Sequence, residues 1–395
     1  MVTRRHTLAL LGSTATVGLA GCLGGSSDPD PPATVTERPV DVSGSIPQYQ
    51  VGAGNAGTLP DSAPSAPTVA WRRTPNRYDA AQPTVDGDAI YVAFDGDLVK
   101  LAIDDGDEVW TVDAGHAADA TPALHDDTVY ATVWNGGESV PRGLVAVDAG
   151  DGSERWRALT ENDVNASPTP TGDAVFVGGG FENGEVAAVE HDGTVRWRRD
   201  LGEYSAAPAV VGDRVVYATG EAASVVALDA VTGDRLWERS VDGRAVAAPT
   251  VAGDAVVVAD ERGGIRSLGV DTGDVRWNAS VVGAVRRSVA VDEVIVATHE
   301  GGATALTPRG DERWTADLGG DPTEPMLTED AVLVGTGRDV VALARSDGTE
   351  RWRVETRERN YTDVVLQGVT GAPVAVDGTV FAATQAGDVY ALDDG

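Results

Sequence analysis

The stretch Ala227-Leu228-Asp229-Ala230-Val231-Thr232-Gly233-Asp234-Arg235-Leu236-Trp237 combines an apolar strand, a tight turn and a second strand that carries a tryptophan. A glycine four residues before a tryptophan recurs at six further places, namely Gly106/Trp110, Gly152/Trp156, Gly193/Trp197, Gly273/Trp277, Gly310/Trp314 and Gly348/Trp352. An eighth tryptophan, Trp71, lacks the turn, whereas residues 391–395 have the strand and turn but no tryptophan. The chain is therefore built from a repeated hairpin unit.

The spacing of these tryptophans predicts an all-β fold. From Trp71 onward the intervals are 39, 46, 41, 40, 40, 37 and 38 residues, and a period near 40 with four short strands per unit is typical of a β-propeller. The first hairpin of each unit gives an independent count of eight turns, at Gly87-Asp88, Asp126-Asp127, Gly172-Asp173, Gly212-Asp213, Gly253-Asp254, Asp292-Glu293, Glu329-Asp330 and Asp377-Gly378. We therefore predict an eight-bladed propeller whose last sheet is completed by the N-terminal strand Pro67–Trp71, which pairs two otherwise open edges.

The unit resembles the quinoprotein-like repeat, or PQQ-like repeat, with the pattern Ala-x-Asp-x-x-Thr-Gly-x-x-x-Trp over residues 67–395. The repeat of Trp237 matches fully, and that of Trp156 has Asp151 in place of threonine. In that family the tryptophan packs between neighbouring blades, and a large planar side chain suits that wedge. The resemblance therefore implies a docking role for the eight tryptophans of the pattern, which are Trp71, Trp110, Trp156, Trp197, Trp237, Trp277, Trp314 and Trp352.

The resemblance also raises the question of a cofactor. Enzymes of the family bind pyrroloquinoline quinone (PQQ) beside a disulfide of adjacent cysteines, with acidic and amide ligands for Ca²⁺ and an aspartate base. Here Cys22 is the single cysteine, so a cysteine pair is impossible. We therefore expect no cofactor and no metal site, with a PQQ- or metal-dependent oxidoreductase as the alternative.

The N-terminus has the features of an export signal. Arg4-Arg5 precede an apolar run from Leu8 to Ala20, and this start resembles a twin-arginine signal. The sequence Leu19-Ala20-Gly21-Cys22 resembles a lipobox, in which the cysteine is lipidated. We expect a signal peptide over residues 1–21, a lipid on Cys22 that holds the protein on the external face of the cytoplasmic membrane, and a flexible or extended linker over 22–66. Part of that linker, from Gln48 to Gly57, is a candidate strap on the folded domain over 67–395.

The net charge of −32, with Lys100 as the single lysine, indicates adaptation to molar salt and a haloarchaeal source. The alternative is an acidic face for cations or basic partners, but the acidic residues are spread through every repeat. Nucleic acid is not expected as a partner because a basic footprint is missing. At about 1 M salt the Debye length is about 3 Å, so the repulsion between the acidic side chains is screened. At about 0.1 M salt the Debye length is about 10 Å, and the repulsion opposes the compact state. We therefore predict that the protein unfolds in dilute buffer; a circular dichroism salt titration showing full structure at low salt would contradict this.

Candidate functional residues lie in the connections between blades, because the repeat itself specifies the ring. The ends of these connections are predicted to line the opening of the central channel, at Asp79, Asp119, Asn165, Ser205, Arg244, Arg287 and Glu324. They could bind a small polar ligand or a peptide, or be solvated loop ends paired with each other. Two enlarged connections, Trp134–Arg142 and Arg357–Gly368, suggest a binding surface on the same face, with Trp134 as a partner anchor or as a cover for its own loop.

The sequence thus predicts a monomeric, lipid-anchored propeller that serves as a non-catalytic scaffold for a protein partner. In architecture it is similar to the propeller lipoprotein of the bacterial outer-membrane barrel-assembly machinery. The alternatives are the oxidoreductase and a small-molecule sensor with a site in the central funnel.

Overall fold

The computed structural model describes residues 34–395 except 76, 117–119, 136–139, 181–183, 203, 246, 286 and 362–363. The predicted signal peptide, with Arg4-Arg5, and the predicted lipid site Cys22 lie outside the described residues. No helix occurs in the part of the chain that is described, so none there could cross a membrane.

Eight antiparallel sheets of four blade strands follow one another, and the four strands of each are called A to D from the channel outwards. Blades 1 to 4 are formed by the following strands: Thr84–Asp86, Ala89–Ala93, Asp95–Ala102 and Glu108–His116; Ala123–His125, Thr128–Val133, Gly143–Asp148 and Glu154–Ala158; Thr169–Pro170, Val175–Val177, Glu185–Val189 and Val195–Asp200; Ala209–Val211, Arg214–Thr219, Ser224–Asp229 and Arg235–Ser240.

Blades 5 to 8 continue the same pattern with these strands: Thr250–Ala252, Ala255–Ala259, Gly264–Gly269 and Val275–Ser280; Ala290–Val291, Ile295–His299, Gly302–Leu306 and Glu312–Asp317; Met326–Leu327, Ala331–Thr336, Asp339–Ala344 and Glu350–Glu355; Val374–Val376, Thr379–Ala383, Val389–Asp393 and Thr68–Arg73. A separate hairpin, Arg359–Tyr361 with Val364–Leu366, lies in the connection before blade 8.

The ring is closed by its N-terminal strand. Thr68–Arg73 pairs antiparallel with Val389–Asp393, which places Trp71 opposite Ala391. The predicted eight-bladed all-β fold, closed in this way, is confirmed.

The antiparallel order of the strands divides the loops between two faces. The A–B and C–D turns lie on one face, which we call the turn face. The B–C loops and the connections from strand D to the next strand A lie on the other, which we call the connection face.

The eight pattern tryptophans join neighbouring blades. Each indole Nε1 donates to a backbone carbonyl 2.7–3.2 Å away, and the acceptors, from Trp71 to Trp352 in chain order, belong to Ile103, Ala149, His191, Ala230, Val270, Pro308, Arg345 and Pro64. Seven of these carbonyls belong to the C–D turn of the next blade. The glycine of that turn lies directly beneath the ring: a Cβ on Gly233, which has φ +70°, would be 2.6 Å from Trp197 Cδ2. The glycine and tryptophan of the repeat thus meet across an interface and not within one blade.

Residues 34–66 form a strap that packs on the propeller. Its start pairs with the N-terminal strand, where Thr36 N donates to Val69 O at 3.0 Å. Ser45–Ile46 then pairs with the inner edge of strand A in blade 1. From there the strap follows the innermost strands around the channel, and its carbonyls accept from Leu124, Val210, Val251, Val291 and Leu327 at 2.6–2.8 Å.

The strap also completes the last blade interface. Blade 8 has no C–D turn, since its strands C and D come from opposite ends of the chain, and Pro64 O of the strap accepts the Trp352 indole N–H at 2.7 Å instead. The region expected to be a flexible or extended linker therefore contains, from residue 34 on, a longer packed segment than the Gln48–Gly57 strap. Its backbone groups satisfy inner edges that the blades leave unpaired.

Candidate functional site

The channel opens into a funnel on the connection face, and a tyrosine of the strap lies at its floor. The Tyr49 ring packs against Ala207 and Ala248. Its hydroxyl lies 2.7 Å from Ser288 Oγ and 3.3 Å from Glu324 Oε1. The strap therefore contributes a side chain to the one place where all blades converge.

The funnel floor carries one positive and one negative charge. Arg287 Nη1 is 3.8 Å from Glu324 Oε1. Burial, followed by the negative charge of Glu324, raises the pKa of Tyr49 well above its ordinary value. Tyr49 is thus a neutral hydroxyl that can donate or accept a hydrogen bond, between an acceptor carboxylate and a donor guanidinium.

The structure brings together two of the predicted funnel residues, Arg287 and Glu324. Asp79 is half-buried with φ +50°, and its N–H donates to Gln385 O at 3.0 Å. Ser205 is fully buried and pairs with Thr219, while Arg244 is exposed. Asn165 is half-buried, and Asp119 lies outside the described residues.

A difference in register explains this outcome. In seven blades a proline stands four residues before the A–B turn, at Pro83, Pro122, Pro168, Pro208, Pro249, Pro325 and Pro373, and Ser288 takes this place in blade 6. Arg287 and Glu324 occupy the position immediately before it, whereas the other five predicted residues precede it by three to five positions. The proline was the signal that would have aligned them, because it marks the same position at the start of strand A in seven of the blades.

Aligned by that proline, the ring at the level of Arg287 and Glu324 is completed by Gln82, Thr121, Ser167 and the alanines of blades 4, 5 and 8. Gln82 is buried, and neither atom of its amide has a hydrogen-bond partner among the described residues. The same holds for the amide of Gln50 in the strap. Both amides therefore offer hydrogen-bonding groups that no described side chain or backbone group uses.

Four of the large apolar side chains that are exposed in the described part of the chain lie on the connection face. Trp134, in the B–C loop of blade 2, is 38% exposed, and Val282 in the connection after blade 5 is 89% exposed. Val364 and Val365 are exposed on the hairpin before blade 8. Three separate places on this face thus present apolar groups to solvent.

The hairpin before blade 8 is held by a buried acidic group. Arg357 donates from Nε and Nη2 to the carboxylate of Asp388, at 3.0 and 2.6 Å, and also to Thr74 Oγ1 at 2.9 Å. Asp388 is completely buried. The chain that leads into the hairpin is therefore anchored to blade 8 at Arg357.

Comparison with known proteins agrees with this architecture. The family model described as outer membrane protein assembly factor BamB matches residues 95–181 and 182–394. The chain belongs to this family. No curated protein sequence matches the chain.

Solved structures share the fold of this BamB family member at low sequence identity. BamB from Moraxella catarrhalis is 18% identical with a TM-score of 0.65, and the match covers 83% of this chain and 97% of that one. Quinohemoprotein alcohol dehydrogenase from Comamonas testosteroni is 14% identical with a TM-score of 0.73, covering 88% and 80%. The computationally designed Ika8 protein is 14% identical with a TM-score of 0.67, covering 84% and 99%.

The funnel does not offer the groups expected for PQQ. The single cysteine, Cys22, precedes the described residues, so no cysteine pair can flank a cofactor. No group of three His, Cys, Asp or Glu side chains in the described part of the chain could hold a metal ion. Glu324 already contacts Tyr49 and Arg287. The residues of the funnel therefore do not fit PQQ with calcium.

Proposed function

We propose that this BamB family member is a membrane-anchored extracellular propeller that acts as a non-catalytic scaffold and binds a protein partner through its connection face. The observation that carries the proposal is the set of exposed apolar groups on that face, Trp134, Val282, Val364 and Val365. They lie on connections that the repeat does not specify, and an exposed tryptophan is a frequent anchor of protein interfaces.

The anchored state rests on the N-terminal sequence. Cys22 stands where a lipobox requires it, and the residues between Cys22 and residue 34 would separate the lipid from the strap. A single acyl chain gives marginal membrane binding, at about 0.8 kcal/mol per buried methylene, so stable anchoring needs a second signal such as a second chain. We propose a lipid on Cys22, export by the twin-arginine signal and a salt-adapted, archaeal cell.

A small-molecule sensor is the second candidate. It is favoured by the funnel floor, where Tyr49 stays partly accessible beside Arg287 and Glu324. Calorimetry at high salt separates it, and the oxidoreductase, from the scaffold: tight binding of PQQ with Ca²⁺ would overturn the non-catalytic proposal.

Photo-crosslinking in native membranes tests the scaffold. A photoreactive amino acid at position 134 or 365 should give a crosslink to the same membrane-associated protein. The matched control is position 231, because Val231 is 63% exposed but lies in a C–D turn on the opposite face. Crosslinks from position 231 alone, or from none of the three, would contradict the proposal.

The same cells test the anchor. In the Cys22→Ser variant the protein should lose a lipid-sized mass and move to the soluble fraction, and the crosslinks should weaken with it. An unchanged mass would remove the anchor without affecting the proposed docking face.

A further inference from the structure

A cleft on the turn face, between blades 5 and 6, has the form of a binding site. It has a volume of about 530 Å³, which lies within the range of about 300–1,000 Å³ found for small-molecule sites. Its walls are mainly apolar, with Val251, Val257, Val291 and Ile295 facing the indole of Trp277. We propose that it binds a small neutral ligand with an aromatic ring and one hydrogen-bonding group, such as a phenol.

Blade 5 lacks an aromatic residue that four of the eight blades have beside their tryptophan. The strand B residue in register with the pattern tryptophan is aromatic in blades 1, 2, 3 and 8, namely Tyr91, Tyr130, Phe176 and Phe381. Each of these rings lies 5.8–6.0 Å from its tryptophan. In blade 5 the same place is taken by Val257. Blades 4, 6 and 7 also have an aliphatic residue there, so the small side chain opens the cleft only together with a second difference.

A short turn leaves the cleft open. The turn of blade 6 over residues 307–311 has one residue fewer than that of blade 5 over 269–274, and Pro308 stands where blade 5 has the buried Val270. Trp277 is accordingly only partly buried, whereas Trp237 and Trp314 are each 7% exposed. One face of an indole is thus available for a flat ring, which would gain apolar contact and ring stacking.

A hydroxyl lies inside the cleft. Ser267 pairs in register with both Trp277 and Val257, at a place occupied by alanine in six of the other blades. It is 3% exposed, lines the cleft and has no side-chain partner among the described residues. A ligand that bonds to Ser267 Oγ would satisfy a group that the protein itself leaves unpaired.

The charged groups at the rim are already paired. Arg276 bonds both carboxylate oxygens of Asp254, at 2.6 and 2.7 Å. Asp292 accepts from Arg345 at 2.7 Å. A charged ligand would have to compete with these pairs while losing its own hydration, so the cleft favours a neutral ligand.

Two fluorinated probes of equal ring size test the inference. In the presence of the full-length protein at high salt, ¹⁹F NMR titration should show saturable binding of 4-fluorophenol and weaker binding of fluorobenzene. Ser267→Ala should weaken the phenol by roughly three- to tenfold and leave fluorobenzene within about twofold, as expected for one lost hydrogen bond. Absence of saturable binding at millimolar probe would overturn the proposal.

Val257→Phe supplies the blocking variant. It should abolish binding of both probes, because it introduces the side chain that Phe176 and Phe381 place at the same register in folded blades. Arg313→Ala, an exposed residue of the neighbouring charged cleft, is the control and should change neither affinity. Unchanged binding to Val257→Phe would show that the probes bind elsewhere. Equal weakening of both probes by Ser267→Ala would show that Ser267 does not form the proposed hydrogen bond with the phenol. These results are independent of the connection face, so failure here leaves the scaffold proposal standing.

Discussion

Trp237→Ala should lower the free energy of unfolding by about 3–5 kcal/mol, the range of large aromatic-to-alanine changes in cores. Trp237 is 7% exposed and packs on the turn of the next blade, where a Cβ on Gly273 would be 2.6 Å from its ring. Its Nε1 also donates to Val270 O at 2.8 Å. The substitution therefore opens a cavity at a blade interface and leaves a buried carbonyl unpaired.

Denaturant unfolding at molar salt measures this effect, and the neighbouring Leu236→Ala provides the control. Leu236 is 45% exposed, so its truncation should change stability by no more than about 0.5 kcal/mol. Trp277→Ala should cost less than Trp237→Ala because its ring already borders the open cleft. A loss below about 1 kcal/mol for Trp237→Ala would mean that the blade interface does not depend on this ring.

The ring could be predicted from the sequence because seven of the eight blades pack against the next through the same pair of residues, a tryptophan and a turn glycine. Gly233 and Trp237 recur at one spacing since each indole needs a turn without a side chain beneath it. Closure of the ring by the strand of Trp71 could be predicted because the tryptophans and the first hairpins of the units were counted separately. The number of blades, the positions of the docking tryptophans and the closure of the ring could therefore be predicted from a single sequence.

The candidate site could be predicted only in part, because it lies where the repeat changes. Arg287 and Glu324 were found, but Asp79 and Asn165 were chosen at a different distance from the innermost strand. Tyr49 could not be placed by spacing, since it reaches the funnel from a segment outside the blades. The residues that contact Tyr49 depend on the path of the strap and not on the spacing of the blade repeat.

The strap was difficult to predict for a physical reason. Its residues are mostly small or polar, and such composition is typical of segments that bury too little apolar surface to fold alone. The strap is ordered mainly by backbone hydrogen bonds to inner strand edges, for example Val251 N to Gly54 O at 2.7 Å. Almost any sequence can form such backbone hydrogen bonds, so the side-chain pattern of the strap does not predict them.

Asn55 is the strap residue whose side chain does specify the path, and Asn55→Ala should cost about 2–4 kcal/mol. Its Nδ2 lies 3.1 Å from the carbonyl oxygens of Pro208 and Pro249, and the residue is 1% exposed with φ +54°. Alanine would leave Pro249 O unpaired, at about 1–3 kcal/mol, whereas Pro208 O would keep the hydrogen bond from Thr169 Oγ1 at 2.9 Å. Alanine would also hold a left-handed conformation that it disfavours by about 1 kcal/mol or more.

A series at this position separates the two contributions. Asn55→Gly removes the amide but accepts the positive φ, so it should be less damaging than Asn55→Ala by the conformational part alone. Ser45→Ala, at an exposed residue of the same strap, is the control and should leave stability unchanged. Equal stability of Asn55→Ala and the parent protein would refute the anchoring role of the amide. Faster proteolysis within residues 44–59 of Asn55→Ala, with the β-sheet circular dichroism retained, would show that the strap leaves the channel before the ring unfolds. That result would also make the Tyr49 floor of the funnel a separable part of the molecule, because Tyr49 lies on the segment that Asn55 fastens.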